Sequence, residues 1–408
     1  MSLEQFDIVI VGGGLVGATC AGAIRALEAQ VKSDKPLKIA IIDSQSVNPT
    51  QTRIQSTSFD GKAIALSYGS ALLLNKWQLW SDIKPCVESI KKIEVSEQGS
   101  AGFNFMHKPV NQSALGFVVE AQQMGQAVLN NLSQKQIDWL CPVKIKHLAQ
   151  HQNHIELTLD NHQSIQTKLL LACDGANSQV RQILNLEHQV EDYQQWAITA
   201  NIEMNQKHGN IAYERFTREG PLAMLPMTDN RFGLVWCASE QHIQDLLALS
   251  DDEFIKALQA NAGYKAGKVI RCGARQAYPL SRRYNLQNIS HRAVLLGNAS
   301  HTVHPIAGQG LNLGIRDIYS VARQVIQKTL QQEDIGLGWQ SYQTERNSDI
   351  QLILQATDTL VKTFSNDQPL LKFARNAGLL ALELNPLLKQ IFSQRAMGLL
   401  NNKNRLNA

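Results

Sequence analysis

The stretch Phe6-Asp7-Ile8-Val9-Ile10-Val11-Gly12-Gly13-Gly14-Leu15-Val16-Gly17 decides the fold. Residues 6–11 are a β-branched apolar run of the kind that forms a buried strand, and Ala18 to Leu27 is rich in helix formers. A second apolar run, Leu37 to Ile42, ends at Asp43. Strand, glycine turn, helix, strand and acid make the first half of a doubly wound sheet. In that pattern Gly12 permits the tight turn, Gly14 lets the backbone approach a pyrophosphate, and Gly17 lets the helix pack on the strand. The helix N-terminus offers free N–H groups to the phosphates, and Asp43 accepts hydrogen bonds from a ribose. The polar stretch Ser33 to Pro36 reads as a loop insertion that lengthens the gap to Asp43. The motif predicts dinucleotide binding and does not by itself separate FAD from NAD.

Working outward, Gln45 to Phe59 reads as a loop, residues 65–80 as a helical pattern, 91–120 as strands outside the first sheet, and 122–133 as a helix. Short strands then run to Leu171. Residues 190–285 carry many strand formers with turns at Gly220-Pro221 and Pro226, and form most of a β-rich second domain. From about residue 311 the chain is mainly helical. The expected organisation is a discontinuous dinucleotide-binding domain (1–90, 121–189 and 286–330), an interleaved β-rich substrate domain (91–120 and 190–285) and a C-terminal helical region (331–408).

The 408 residues suffice for two domains, and 44% hydrophobic with 18% charged residues is an ordinary globular balance. A net charge of +4 without a dense Lys/Arg run gives no footing for nucleic acid. Cys20, Cys86, Cys141, Cys173, Cys237 and Cys272 form no C-x-x-C pair or zinc-like spacing, so no metal is expected and the thiols read as reduced core residues. Glu4 and Asp7 stand where a secretory leader would be basic, and no uncharged apolar run reaches the ~20 residues of a membrane helix. The expectation is a cytoplasmic protein, peripheral at most on the inner membrane.

Two further motifs follow strands. Leu169-Leu170-Leu171-Ala172-Cys173-Asp174-Gly175-Ala176-Asn177-Ser178, with Val180-Arg181, is an apolar strand ending in a polar turn. The buried run Ala293 to Leu296 leads into Gly297-Asn298-Ala299-Ser300-His301-Thr302-Val303-His304-Pro305-Ile306-Ala307-Gly308-Gln309-Gly310-Leu311-Asn312-Leu313-Gly314, which opens a helix. A helix N-terminus at Gly308 and Gly310 stabilises negative charge, such as the N1–C2=O2 edge of a reduced flavin.

In this order and spacing the three motifs resemble the aromatic hydroxylases built on the para-hydroxybenzoate hydroxylase fold, and within them the FAD-dependent hydroxylases of ubiquinone biosynthesis. His304 to Asp317 is the most specific marker. Ala212 to Thr217, Gly220 to Met227, and Phe59 to Ser67 support it, with the 2-polyprenyl-6-methoxyphenol hydroxylase branch the most similar. The resemblance implies an α/β protein with a Rossmann-like FAD-binding domain, an interleaved β-rich domain and C-terminal helices. It implies that FAD, reduced by NAD(P)H or a protein donor, reacts with O2 to a C4a-hydroperoxide and transfers one oxygen to a polyprenylated phenol. The cofactor contacts implied are Gly12, Gly14, Gly17, Asp43, Lys62, Asp174, Gly175, Gly297, Asn298, Gly308, Gln309, Gly310 and Asn312. Pro305, Gly308 and Gly310 support catalysis. His304 either moves the phenol proton or is a structural neighbour of Pro305, the structural role being favoured. Two positions depart from the superfamily: Asn298 stands for the usual Asp and still accepts a hydrogen bond, and Lys62 replaces an Arg, losing the bidentate fork.

A polyprenyl substrate lives in the membrane. Leu387, Leu388, Ile391, Phe392, Leu399 and Leu400 share one helical face, in a tail where Lys372, Arg375, Lys389, Arg395, Lys403 and Arg405 face only Asp367 and Glu383. Such a helix lies on an anionic membrane or packs on the protein body or on a partner of a ubiquinone-biosynthesis complex. The rivals are a same-fold hydroxylase acting at another ring position or on a soluble phenol, a non-catalytic flavin- or quinone-binding assembly subunit, and a pyridine-nucleotide dehydrogenase. The second and third motifs disfavour the dehydrogenase.

Overall fold

The computed structural model describes residues 3–31, 35–47, 60–97, 103–107, 112–303, 308–364, 394 and 397–399. Its first layer is an eight-stranded sheet in the order Ile289–Ser290, Ala293–Leu295, Ser164–Ala172, Glu4–Val11, Ile39–Ile42 and Asp138–Leu140. The hairpin Ile145–Gln150 and Ile155–Leu159 is joined to it through Ser164–Ala172. The pairs along the centre are parallel. A parallel strand is buried on both faces, which is why Ile8 to Val11 is continuously apolar. Ile8 and Ile10 enter the core beneath the helices Leu15–Val31, Ala121–Leu132 and Gln309–Leu330, while Val9 and Val11 enter the core on the opposite face.

The second layer is a nine-stranded sheet, mostly antiparallel, in the order His301–Thr302, Gln276–Asn285, His188–Met204, Arg231–Ala238, Pro221–Met227, Ile211–Phe216, Lys92–Glu97 and Phe103–His107. Val269–Cys272 pairs off the path. Two helices cover one of its faces, Glu240–Ala248 and Asp251–Ala262, with Trp236, Ile243 and Phe254 fully buried between. These helices interrupt a region expected to be β-rich. Their signals are local: Ser239 caps the first, and Ser250 with Glu253 forms a complete capping box on the second.

A three-stranded sheet of Ala63–Ser67, Gly116–Glu120 and Val87–Ile90 completes the architecture. Residues 65–80 were expected as one helical pattern and are three pieces. Strand Ala63–Ser67 pairs with Gly116–Glu120, helix Tyr68–Lys76 starts where the Ser67 hydroxyl accepts from the Ser70 N–H, and Gln78 at φ +59° separates that helix from Trp80–Ile83. The expected block 91–120 divides between the other two sheets: Lys92–Glu97 and Phe103–His107 join the nine-stranded sheet and Gly116–Glu120 the three-stranded one. All six cysteines are free thiols. Among the described residues no helix is long and apolar enough to cross a membrane.

Candidate flavin site

All three turn motifs leave the same edge of the first sheet. Val11 pairs with Ala172, and Ala172 with Leu295, so the turns at Gly12, Asp174 and Gly297 emerge side by side at the carboxyl ends of adjacent parallel strands. That edge is where open α/β sheets bind ligands. The Cys173 N–H donates to Val11 O at 2.7 Å and the Leu296 N–H to Ala172 O at 2.9 Å, which ties the three turns together.

The glycines divide into packing and exposed positions. At Gly12, with φ +99°, a Cβ would stand 2.5 Å from the Cys173 carbonyl oxygen, and at Gly17 it would collide with the Gly12 carbonyl oxygen. Neither space can be given to a side chain without moving backbone. At Gly14 and Gly175 a Cβ would meet nothing within 4 Å. Those two positions leave the backbone open at the strand ends, as a pyrophosphate requires. Asp174 adds an acceptor: Oδ2 takes the Val180 N–H at 3.1 Å, while the buried Oδ1 has no partner. An orphaned carboxylate oxygen beside bare glycine backbone fits the hydroxyl groups of a dinucleotide. Asp43 holds the first turn, accepting from the Gly13 N–H at 2.6 Å and the Gln45 N–H at 2.7 Å, and a carboxylate keeps further lone pairs for a ribose.

The third motif is anchored from below. Gly297, at φ +57°, donates its N–H to Asp317 Oδ2 at 2.9 Å and leaves Asn298 exposed at the turn. Asp317 is fully buried and also accepts from Arg346 Nε at 2.6 Å, with His301 Nε2 at 2.9 Å. Arg346 continues to Asp349, which also receives Arg316 at 2.8 Å. Burial alone would raise the Asp317 carboxyl; the charges of Arg346 and His301 and the two hydrogen bonds outweigh it and hold the group at about 2. Asp317 therefore stays ionised and fixes the Gly297 turn. Asp317 appeared in the sequence only as the end of a motif, yet a charge between Ile315 and Tyr319 on the buried face of a helix is a legible signal that it is paired.

Gly308, at φ +58°, ends the approach to helix Gln309–Leu330; a Cβ there would stand 2.6 Å from that of Ala65. Gln309 and Gly310 follow, both half-buried, at the helix start. Asn312 is buried and locks this start to the three-stranded sheet. Its Oδ1 accepts from the Ser67 N–H and the Ser70 hydroxyl, and its Nδ2 donates to Ala65 O and Gly308 O. Lys62 is exposed, its Nζ 5.6 Å from the Tyr278 ring centroid on the second sheet. His304 and Pro305 lie outside the described residues. Of the six apolar tail residues, Leu399 alone is described. It packs with buried Met397 against Ala63, Tyr68 and Met227, so this part of the tail covers the protein body. A tie the sequence reading missed is Arg181, buried, which donates to Ala176 O at 2.8 Å and Ala299 O at 3.0 Å and so joins the second and third turns.

A family profile described as an FAD binding domain matches residues 144–357. Ubiquinone hydroxylase UbiL of Rhodospirillum rubrum is 32% identical over 97% of this chain and 90% of its own. The 3-demethoxyubiquinol 3-hydroxylase of Escherichia coli is 29% identical over 98% of this chain and 100% of its own. The crystal structure of p-nitrophenol 4-monooxygenase PnpA from Pseudomonas putida superposes with a TM-score of 0.77 at 15% identity, covering 97% of this chain and 99% of that one. Fold, site and family together define an FAD-dependent monooxygenase. Within that class the chain belongs to the FAD-dependent hydroxylases of ubiquinone biosynthesis.

Proposed function

We propose that the protein hydroxylates the aromatic ring of a polyprenylated phenol, 2-polyprenyl-6-methoxyphenol, on the way to ubiquinone. The observation that carries the reading is a row of partly accessible residues on the face of the second sheet turned away from its two helices. Cross-strand partners share a face, and Glu214, Ala223, Val235 and Thr199 are partners in succession across four strands. All four are only half-buried in the middle of a sheet, and their row contains small side chains. Strand Ala63–Ser67 links this face to the helix start: Ala63 packs on Gly233 of the sheet, and Ala65 packs on Gly308. A partly accessible, mostly apolar floor beside the flavin-side helix suits a substituted phenol ring.

When bound, FAD would activate O2, from which the oxygen atom delivered to the ring comes. Gly14, Gly175, Asp174 and Asp43 would hold its pyrophosphate and sugar groups. The N-terminus of helix Gln309–Leu330 stabilises negative charge at its edge. Ala223, Val235 and Thr199 orient the ring and keep water from it.

The test is a series of phenols with prenyl tails of increasing length, offered to the FAD-loaded protein with a reductant, with product position mapped by NMR. Hydroxylation that strengthens with tail length and falls on the 6-methoxyphenol ring supports the proposal. Equal turnover of tail-less phenols, or hydroxylation only of a ring such as that in the E. coli relative's name, replaces its substrate.

A further inference from the structure

On the face of the second sheet turned away from its two helices, one carboxylate stands in an apolar row. Glu214 lies between Val95 and Ala223 on the flanking strands and between Ala212 and Phe216 on its own. Among the described residues, no hydrogen bond or ion pair ties its carboxyl to the protein. Its strand neighbour Arg215 points to the other face, where its guanidinium lies near Gly263. In the adjoining row Phe216, Pro221, Cys237, Ala197 and Tyr278 follow one another across the sheet. Phe216, Cys237 and Ala197 of that second row are buried, while Glu214, Ala223, Val235, Thr199 and Tyr278 are partly accessible, and the small side chains among them make the row a shallow trough with Glu214 toward one end and Tyr278 toward the other. Among the described residues, the titratable and charged groups on this face include Glu97 on the adjacent strand, Cys237 in the middle, Tyr278 with Lys62 over its ring, and, further along the strands, Glu203 with its partners Arg231 and Arg271, Arg231 being ion-paired with Glu120.

We propose that Glu214 is the catalytic base of the hydroxylation, taking the proton from the phenol hydroxyl of the ring bound in this trough. The proposal rests on the phenol-hydroxylase reading above. The step is a proton transfer: the phenol O–H bond breaks, its electron pair stays on oxygen, and the Glu214 carboxylate becomes a carboxylic acid. The phenolate is the more electron-rich ring and accepts an electrophilic oxygen more readily. The acid later returns its proton to solvent.

The electrostatics of the trough suit that task. Desolvation pushes the Glu214 carboxyl up to about 7. A base titrating near the working pH combines a useful ionised fraction with a real affinity for the proton. The sign follows: the ionised, competent form grows as pH rises through 7 and is lost as pH falls below it. Burial raises Tyr278 to about 12, so its phenol stays neutral and does not compete for the role at neutral pH.

The test is Glu214→Gln in the FAD-loaded protein, with Glu214→Asp beside it. FAD content and the flavin spectrum should match wild type, because Glu214 lies on the second sheet and not at the glycine turns. Hydroxylation at neutral pH should fall on the order of a hundredfold, the usual scale of a lost base. The loss should shrink at high pH as the free phenol ionises, and E214D should recover part of it. An E214Q rate and pH profile equal to wild type overturns the proposal. A readout independent of turnover uses the wild-type protein and 4-nitrophenol as the probe. Infrared difference spectra should show a protonated carboxyl band appearing as the probe binds as phenolate near pH 7. A probe that binds with no carboxyl signal overturns the proposal even if E214Q does not fold. If wild type hydroxylates no phenol while the band still appears, Glu214 takes the phenol proton as proposed and it is the phenol-hydroxylase reading that fails.

Discussion

Replacing Asp317 with Asn should loosen the site from beneath without touching any surface the cofactor meets. Asp317 offers one oxygen to Arg346 and the other to the Gly297 N–H and His301, with every partner side chain fully buried. An amide keeps the shape but gives up the charge and one acceptor, so either Arg346 or the Gly297 turn loses its partner. Asp349 still neutralises part of Arg346, which places the cost near the lower end of that for breaking a buried ion pair, about 3 kcal/mol. Unfolding entropy of about 2.1 cal/mol/K per residue makes each kcal/mol worth about 1 °C in a chain of this length, so Tm should fall by about 3 °C. The same interactions make stability depend on pH. The carboxyl is held at about 2 against an ordinary 3.8. That shift stabilises the fold by about 2 kcal/mol at any pH above the ordinary value, and the contribution drains away as pH falls toward 2. Thermal unfolding followed by near-UV circular dichroism, together with FAD released on gel filtration, measures both effects. D317N should melt earlier, lose FAD more readily, and show a shallower loss of stability on acidification. A D317N protein with unchanged Tm and unchanged FAD retention would refute the claim that this network holds the Gly297 turn.

Gly14→Ala should leave the melting of the FAD-free protein within about 1 °C of wild type while raising the FAD Kd at least tenfold, since its Cβ meets only open space on the cofactor side. Gly17→Ala should instead destabilise the fold by about 1–3 kcal/mol, because the collision is with the Gly12 carbonyl; denaturant unfolding of both FAD-free variants separates the two cases. Arg181→Ala strips donors from the Ala176 and Ala299 carbonyls and should cost about 2 kcal/mol, with weaker FAD binding read by flavin fluorescence. Ser250→Ala removes a capping box on the far side of the second sheet and should cost about 1 kcal/mol while leaving FAD content and hydroxylation rate unchanged.

The first sheet was legible because its signals are local and redundant. The β-branched run 6–11, the spaced glycines and the acid at 43 each point to the same strand, turn and helix, and the structure places them so. The end of strand Ala63–Ser67, residues 65–67, was read as helix because apolar residues before a real helix satisfy both periods, and only pairing with Gly116–Glu120 decides between them. The helices Glu240–Ala248 and Asp251–Ala262 were missed although their caps are written in the chain, because the surrounding strand formers dominated the reading. The Asp317 network and the Glu214 trough depend on contacts between segments far apart in sequence. Asp317 meets Arg346 from another helix, and Glu214 gains its surroundings from strands that begin near residues 92 and 221. Motif spacing names such residues and does not tell which groups face them.

The most direct measurement is isotopic. The FAD-loaded protein, a reductant and a prenylated 6-methoxyphenol are incubated under heavy-isotope dioxygen, and the extracted ring product is weighed by mass spectrometry. One heavy oxygen atom per hydroxylated product is the expected result. A protein that takes up no FAD, or that consumes the reductant while the phenol remains unlabelled, would contradict the assignment.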